Sequence, residues 1–166
     1  MIVLAYIGNH AKDTLMVRLG WALIRLVQTG KFKRVTHTEC VLVGDHYARC
    51  TIASSSVRDG GVRIKPDIAL ARGNWAAFEV RGLSRERSRH WFEAHDGEVY
   101  NMVAAIATKL PIFHSLALML AGYFCNWSCL ASCGLKRAHR ETPSQSIERL
   151  VREHGAVDVT EQFFKD

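Results

Sequence analysis

Between Val35 and Gly44 the chain reads VTHTECVLVG. Apart from two ionisable groups this is Val, Leu, Thr and Cys, the make-up of a buried β-strand, and Gly44-Asp45-His46 after it is a turn signal. Residues 47–53 read as a second strand, so the two predict an antiparallel hairpin and commit the chain to a sheet. The hairpin also poses a chemical question. Side chains alternate along a strand, which puts His37, Glu39 and Val41 on one face. An unpaired buried charge is costly, so this pair needs a partner, a metal or a chemical role.

The rest of the chain supplies more strands and several helices. Residues 2–7 read as a short buried strand. Residues 13–28 carry Leu15, Val17, Leu19, Leu23, Leu26 and Val27 in a helical pattern, with Gly30 as its stop. The segment SSSVRDGGVRIKP reads as a polar loop bending at Asp59-Gly60-Gly61. A third strand starts at 62–64 and a fourth covers 75–80. A helix is predicted over 88–108 from Trp91, Phe92, Val99, Met102, Val103 and Ile106. After Pro111 an apolar stretch runs to Gly122, and a new helix begins near Cys125. TPSQ at 142–145 resembles a helix N-terminus with Pro143 in its first turn, followed by a short amphipathic helix over 146–153. The last ten residues read as a polar tail. No internal repeat or low-complexity tract is present.

A chain of 166 residues fits a single domain, 1–166, with a core of its own. At 48% hydrophobic and 23% charged it is not a disordered chain. The net charge of +6 reads as a solvated basic surface. No aromatic-plus-basic motif of the kinds that read RNA accompanies it, so nucleic acid is not an expected partner. Residues 1–10 have no basic region ahead of their apolar run and read as a strand, not a signal peptide. Cys40, Cys50, Cys125, Cys129 and Cys133 make an odd count, which suggests free thiols in a reducing compartment. Residues 110–135 carry no Asp, Glu, Lys or Arg, long enough to cross a bilayer. Pro111, His114, Gly122, Asn126, Ser128, Ser132 and Gly134 dilute that stretch. One or two buried helices are expected there, and no stable membrane span.

Chemistry concentrates at YFCNWSCLASCG, 123–134. If a helix starts at Cys125, its first-turn amides and the helix dipole stabilise a thiolate. Cys129 and Cys133 follow at i+4 and i+8 and read as inert packing groups deeper in the same helix. A thiolate needs a base, and an imidazole on a neighbouring strand can take the thiol proton and return it to a leaving group. His37 is the candidate base and Glu39 the candidate group that orients it. A satisfied core histidine and a packed cysteine are the plainer alternatives. A zinc site from His37, Glu39, Cys40, Cys125 and Cys129 is the chemical rival. Cys40 faces the opposite side of the strand from His37, and no CxxC or HxxxH occurs, so no metal or other cofactor is expected.

The order of these motifs carries a resemblance. LIRL at 23–26 is followed by VTHTECVLV, SSSVRDGGVRIKP, WFEAHDGEVYNMVAAI, YFCNWSCLASCGL and TPSQSIERL. This order resembles the circularly permuted papain-fold cysteine hydrolases related to NlpC-type cell-wall peptidases, and in particular small members found in bacteriophage and prophage genomes. It runs over about residues 24–150. The resemblance implies that the family's histidine falls on His37, its following polar position on Glu39 and its nucleophile on Cys125. The family's Ser-rich loop falls on Ser54, Ser55 and Ser56, where Ser54 or Ser55 would border the cleft or supply the third member. Its Tyr-Asp falls on Tyr100-Asn101. Two positions depart from the pattern: Thr36 replaces a serine before the histidine, and Asn126-Trp127 replace the Ser-Glu after the cysteine. Trp127 would then reshape the cleft.

The expectation is therefore an α+β fold, a small antiparallel sheet of four to six strands packed against helices, with the Cys125 helix on the His37 face. The expected activity is a cysteine peptidase or amidase acting through Cys125, His37 and Glu39, with peptidoglycan peptide or another amide as substrate. By the resemblance it would act in the cytoplasm or a phage virion. The alternatives are a non-catalytic phage structural or binding module on the same fold, an enzyme of lipid acyl or thioester chemistry, and a protein anchored in a membrane through 110–135.

Overall fold

The computed structural model describes residues 1–8, 15, 18, 22, 30–101, 122–136 and 141–166. Six strands form one antiparallel sheet: β1 (Ile2–Tyr6), β2 (His37–Val43), β3 (Cys50–Ser56), β4 (Gly61–Ile68), β5 (Trp75–Glu79) and β6 (Val157–Asp158). Their spatial order is β4-β3-β2-β1-β5-β6. The four described helices are α1 (Arg85–Ala94), α2 (Cys125–Ser132), α3 (Pro143–His154) and α4 (Thr160–Phe163). The fold is α+β with an antiparallel sheet, as the strand patterns predict.

The central strands β1 and β2 are apolar on both sides because both faces of the sheet are covered. On one face Val3, Ala5, Cys40, Leu42 and Phe78 meet Phe92 of α1, Cys129 and Leu130 of α2, and Ile147 and Leu150 of α3. On the other, Ile2, Leu4, Val41, Ile52 and Ala77 meet Phe163 and Phe164. The last residues are therefore not a polar tail. The two phenyl rings cap the second core cluster, held by Thr160 Oγ1 accepting from the Ala77 N–H at 2.9 Å.

The Ser-rich segment is also not a loop. Ser54, Ser55 and Ser56 close β3 and are buried, and β4 pairs with them from Gly61 onward. Serine at these positions satisfies polar partners inside the sheet, which a propensity reading does not anticipate. β4 tolerates Pro66 because it is the outermost strand, and the ladder shifts register between Cys50 and Ile52 opposite it.

The helix expected over 88–108 starts earlier and stops at Ala94. The Ser84 side chain caps its start by accepting from the Arg87 N–H. Gly97, at φ 86, turns the chain back, and the Gly97 N–H donates to Val62 O while the Val62 N–H donates to Glu98 O. The turn at Asp96-Gly97 is the stop signal. α3 begins as predicted, with a capping box between Thr142 and Gln145 and Pro143 in its first turn, and ends at Gly155 in the left-handed region. Of the helix expected over 13–28, Leu15, Arg18 and Ala22 are described and helical. Its remaining residues, and those at 102–121, lie outside the described residues. Among the described residues no helix is long and apolar enough to cross a membrane.

One expectation about layers is corrected. α2 packs on the Cys40 face of the sheet, where Cys40 Sγ approaches Cys129 Sγ to 2.6 Å. His37 and Glu39 pair with Tyr6 and Leu4 and share the other face. Cys40 and His37 are an odd number of residues apart, so strand alternation separates them.

Candidate active site

The site grows from the first residues of β2. His37 and Glu39 are 7% and 2% exposed, and His37 Nε2 lies 3.1 Å from Glu39 Oε1. Two residues apart on one face, the short carboxylate folds back to the ring. The neighbouring strands complete the surroundings. Ser54 of β3 donates to Glu39 Oε1 at 3.2 Å and stands 3.4 Å from His37 Nε2. Lys65 of β4 donates to the same Glu39 oxygen at 2.6 Å and to Asp59 Oδ2 at 3.1 Å. Asp59 in turn accepts from Ser56 Oγ at 2.7 Å. The buried carboxylate thus has two basic partners, which is the condition for keeping it charged.

The electrostatics follow from that packing. Burial alone would push the Glu39 carboxyl up, but the hydrogen bond from His37 and the Lys65 charge outweigh it and bring its pKa down to about 2. Burial would push His37 down. The charge of Cys125, a hydrogen bond with its side chain, and Glu39 together raise the imidazole to about 9. Burial likewise opposes the charge of Lys65, and Glu39 and Asp59 outweigh it, so its pKa is raised.

Cys125 opens α2. The residue before it, Phe124, offers no side-chain cap. The approach to the cysteine is anchored from three sides. The Asn101 N–H donates to Tyr123 O at 2.9 Å, the Tyr123 N–H to Val99 O at 3.1 Å, and Ser55 Oγ to Tyr123 O at 2.8 Å. Asn126 Nδ2 donates to Glu141 O at 2.6 Å and to Ser146 Oγ at 3.0 Å, which ties α2 to the start of α3. Cys125 lies close enough to His37 for its charge to act on the imidazole. It reaches the imidazole at the start of β2, although the body of α2 lies on the opposite face. Tyr100 lies beside it, and burial together with the neighbouring Cys125 holds its phenol well above the usual range.

The structure thus brings Cys125, His37, Glu39 and Ser54 together. Ser55 holds the backbone before the cysteine instead of facing the imidazole. Trp127 packs against Tyr123 and Phe124, with ring centres 4.7 and 5.7 Å away. A cavity of about 230 Å³ opens beside His37 and Glu39 on their own face of the sheet. Trp75 and Tyr6 form part of its wall, and Trp127 does not. Cys125 is 2% exposed and is not a lining residue either. Lys65 lies just past the strand start expected at 62–64, in a segment that reads as a polar loop, so the sequence does not mark it as a partner of Glu39. Once β4 is seen as a strand, its pairing with Ile52 places it on the Glu39 face.

All five cysteines are free thiols. Among the described residues no group of three or more His, Cys, Asp or Glu could hold a metal ion. Comparison of the chain with protein-family models, with curated proteins and with solved structures gives no match.

Proposed function

We propose that this protein is a cysteine hydrolase of the permuted papain-like, NlpC-type architecture, acting on an amide such as a peptidoglycan peptide. The observation that carries the reading is His37, buried between the Cys125 side chain and Glu39 with its pKa raised to about 9. An imidazole arranged this way can take the thiol proton and later return it to a leaving group. The Cys125 Sγ attacks the carbonyl carbon, and the Cys125 N–H at the start of α2 donates to the developing oxyanion. With Nε2 on Glu39, Nδ1 of His37 is the nitrogen that gives its proton to the leaving amine. His37 then takes a proton from water, whose oxygen attacks the thioester. The acid leaves and the Cys125 thiolate returns. Glu39 holds the ring, and Lys65 and Ser54 hold Glu39. The resemblance and the free thiols point to the cytoplasm or a phage particle as the place of action.

The burial of Cys125 favours a second reading, a non-catalytic phage structural or binding module that keeps the arrangement. Alkylation separates the two. Iodoacetamide is applied across pH 5–9 to wild type and His37→Ala, and each cysteine is followed by peptide mass mapping. The hydrolase reading expects labelling of Cys125 at about pH 6, well below the reference thiol range near 8.5, and its loss in His37→Ala. Labelling of Cys125 no faster than Cys50, or only above about pH 8, leaves the binding module.

A further inference from the structure

The cavity on the His37 face is not explained by proton transfer. Tyr6, Ile52, Val57, Ile68, Leu70 and Trp75 form half of its lining, and Tyr6 and Trp75 meet edge to face at 4.9 Å. Three of its charged lining residues are already paired with one another: Lys65 holds Glu39 and Asp59. A polar, acidic substrate group would have to compete with those pairs while leaving the apolar wall wet. Glu39 itself lines the cavity, and its carboxylate is held ionised by His37 and Lys65, which disfavours a second carboxylate there and favours a neutral amide.

We infer that this cavity is the substrate pocket, and that it takes an apolar group attached to a neutral amide. The inference rests on the hydrolase reading and narrows its substrate class from polar cell-wall peptides to amides flanked by an apolar group. Size sets the scale. A dry cavity of about 150 Å³ holds a benzene, so 230 Å³ holds an eight-carbon chain or a large aromatic side chain. Both present the same chemistry. The pocket adjoins the reacting atoms through His37, which lines it and also contacts Cys125.

The first test needs no turnover. Octanamide, octanoate and N-acetylphenylalaninamide are titrated calorimetrically into Cys125→Ser and into the same protein carrying Leu70→Trp, with Ile68→Phe as a second filling variant in case Leu70→Trp does not fold. Binding of either amide at least tenfold tighter than octanoate, lost on filling, is expected. The better of the two amides identifies a chain or an aromatic ring as the natural group. Equal affinity for amide and acid, or binding unaffected by both filling variants, overturns the inference.

The second test follows p-nitroanilide hydrolysis with acetyl, octanoyl and N-acetylphenylalanyl donors. Cys125-dependent turnover that rises by about tenfold or more from acetyl to the larger donors supports the pocket. Cys125-dependent turnover with no such preference overturns the pocket and leaves the hydrolase standing. Amide binding with no Cys125-dependent turnover of any donor keeps the pocket and overturns the hydrolase.

Discussion

Lys65 Nζ lies 2.6 Å from Glu39 Oε1, the same oxygen that faces His37 Nε2 at 3.1 Å. The two basic groups converge on one carboxylate oxygen from different strands. Glu39 is thereby held ionised in a place where burial opposes its charge. A group with a lowered pKa contributes stability that is complete above its unfolded value near 4.5 and is lost as pH falls through about 2. Lys65→Met removes one of the two groups that hold the pKa down. Its acid limb of urea-unfolding free energy, measured from pH 2 to 6, moves toward higher pH than in wild type. Superimposable acid limbs would mean that Lys65 does not support Glu39.

His37 has the opposite sign. Its raised pKa contributes stability that is complete below about 6.5 and is lost as pH rises through about 9. Proton NMR of the ring C–H signals follows it directly. In wild type the buried histidine titrates near 9, and in Cys125→Ala its midpoint falls because the partner charge is gone. An unchanged midpoint in Cys125→Ala would show that the two side chains are not electrostatically paired.

Gly122 sets how closely the chain approaches before Cys125. It has φ 105, and a Cβ there would lie 2.2 Å from Val99 O. Gly122→Ala therefore strains the backbone and pushes apart the Tyr100–Tyr123 bridge. The expected loss is about 2 kcal/mol or more, read by urea unfolding, together with slower alkylation of Cys125 in the folded protein. Unaltered stability would mean the segment relaxes freely.

Phe163 is 1% exposed in the cluster that covers the second sheet face. Phe163→Ala removes a ring from that core and costs about 3–5 kcal/mol in a chemical denaturation series. A cost below about 1 kcal/mol would return the C-terminal residues to the status of a tail.

The thiols away from His37 should stay unreactive in the native protein. Cys40 is held well above the ordinary thiol range by burial and its Cys129 contact, Cys133 by its Cys40 contact and burial, and Cys50 is pushed up to about 11 chiefly by burial. Mass mapping after alkylation at pH 7.5 finds these three unlabelled until guanidinium unfolds the chain. Early labelling of Cys40 or Cys133 would show that the interface between α2 and β2 opens in the native state.

The elements that local chemistry controls were legible in the sequence. Strand alternation alone puts His37 and Glu39 on one face, and the change of pattern at 122–125 puts Cys125 at a helix start. TPSQ marks the start of α3 because its capping box closes within four residues. The relationships decided by distant parts of the chain were not legible. Lys65 meets Glu39 only because β3 and β4 pair in one register, and the serines of 54–56 are buried only because that pairing encloses them. α2 lies on the Cys40 face and still presents Cys125 to His37 because a helix start can reach past a strand end, whereas the body of the helix must bury Cys129 and Leu130. A strand's period of two is a property of its own backbone, and so can be read from a short stretch. Register, layer and the partner of a buried charge are settled by the packing of the whole sheet.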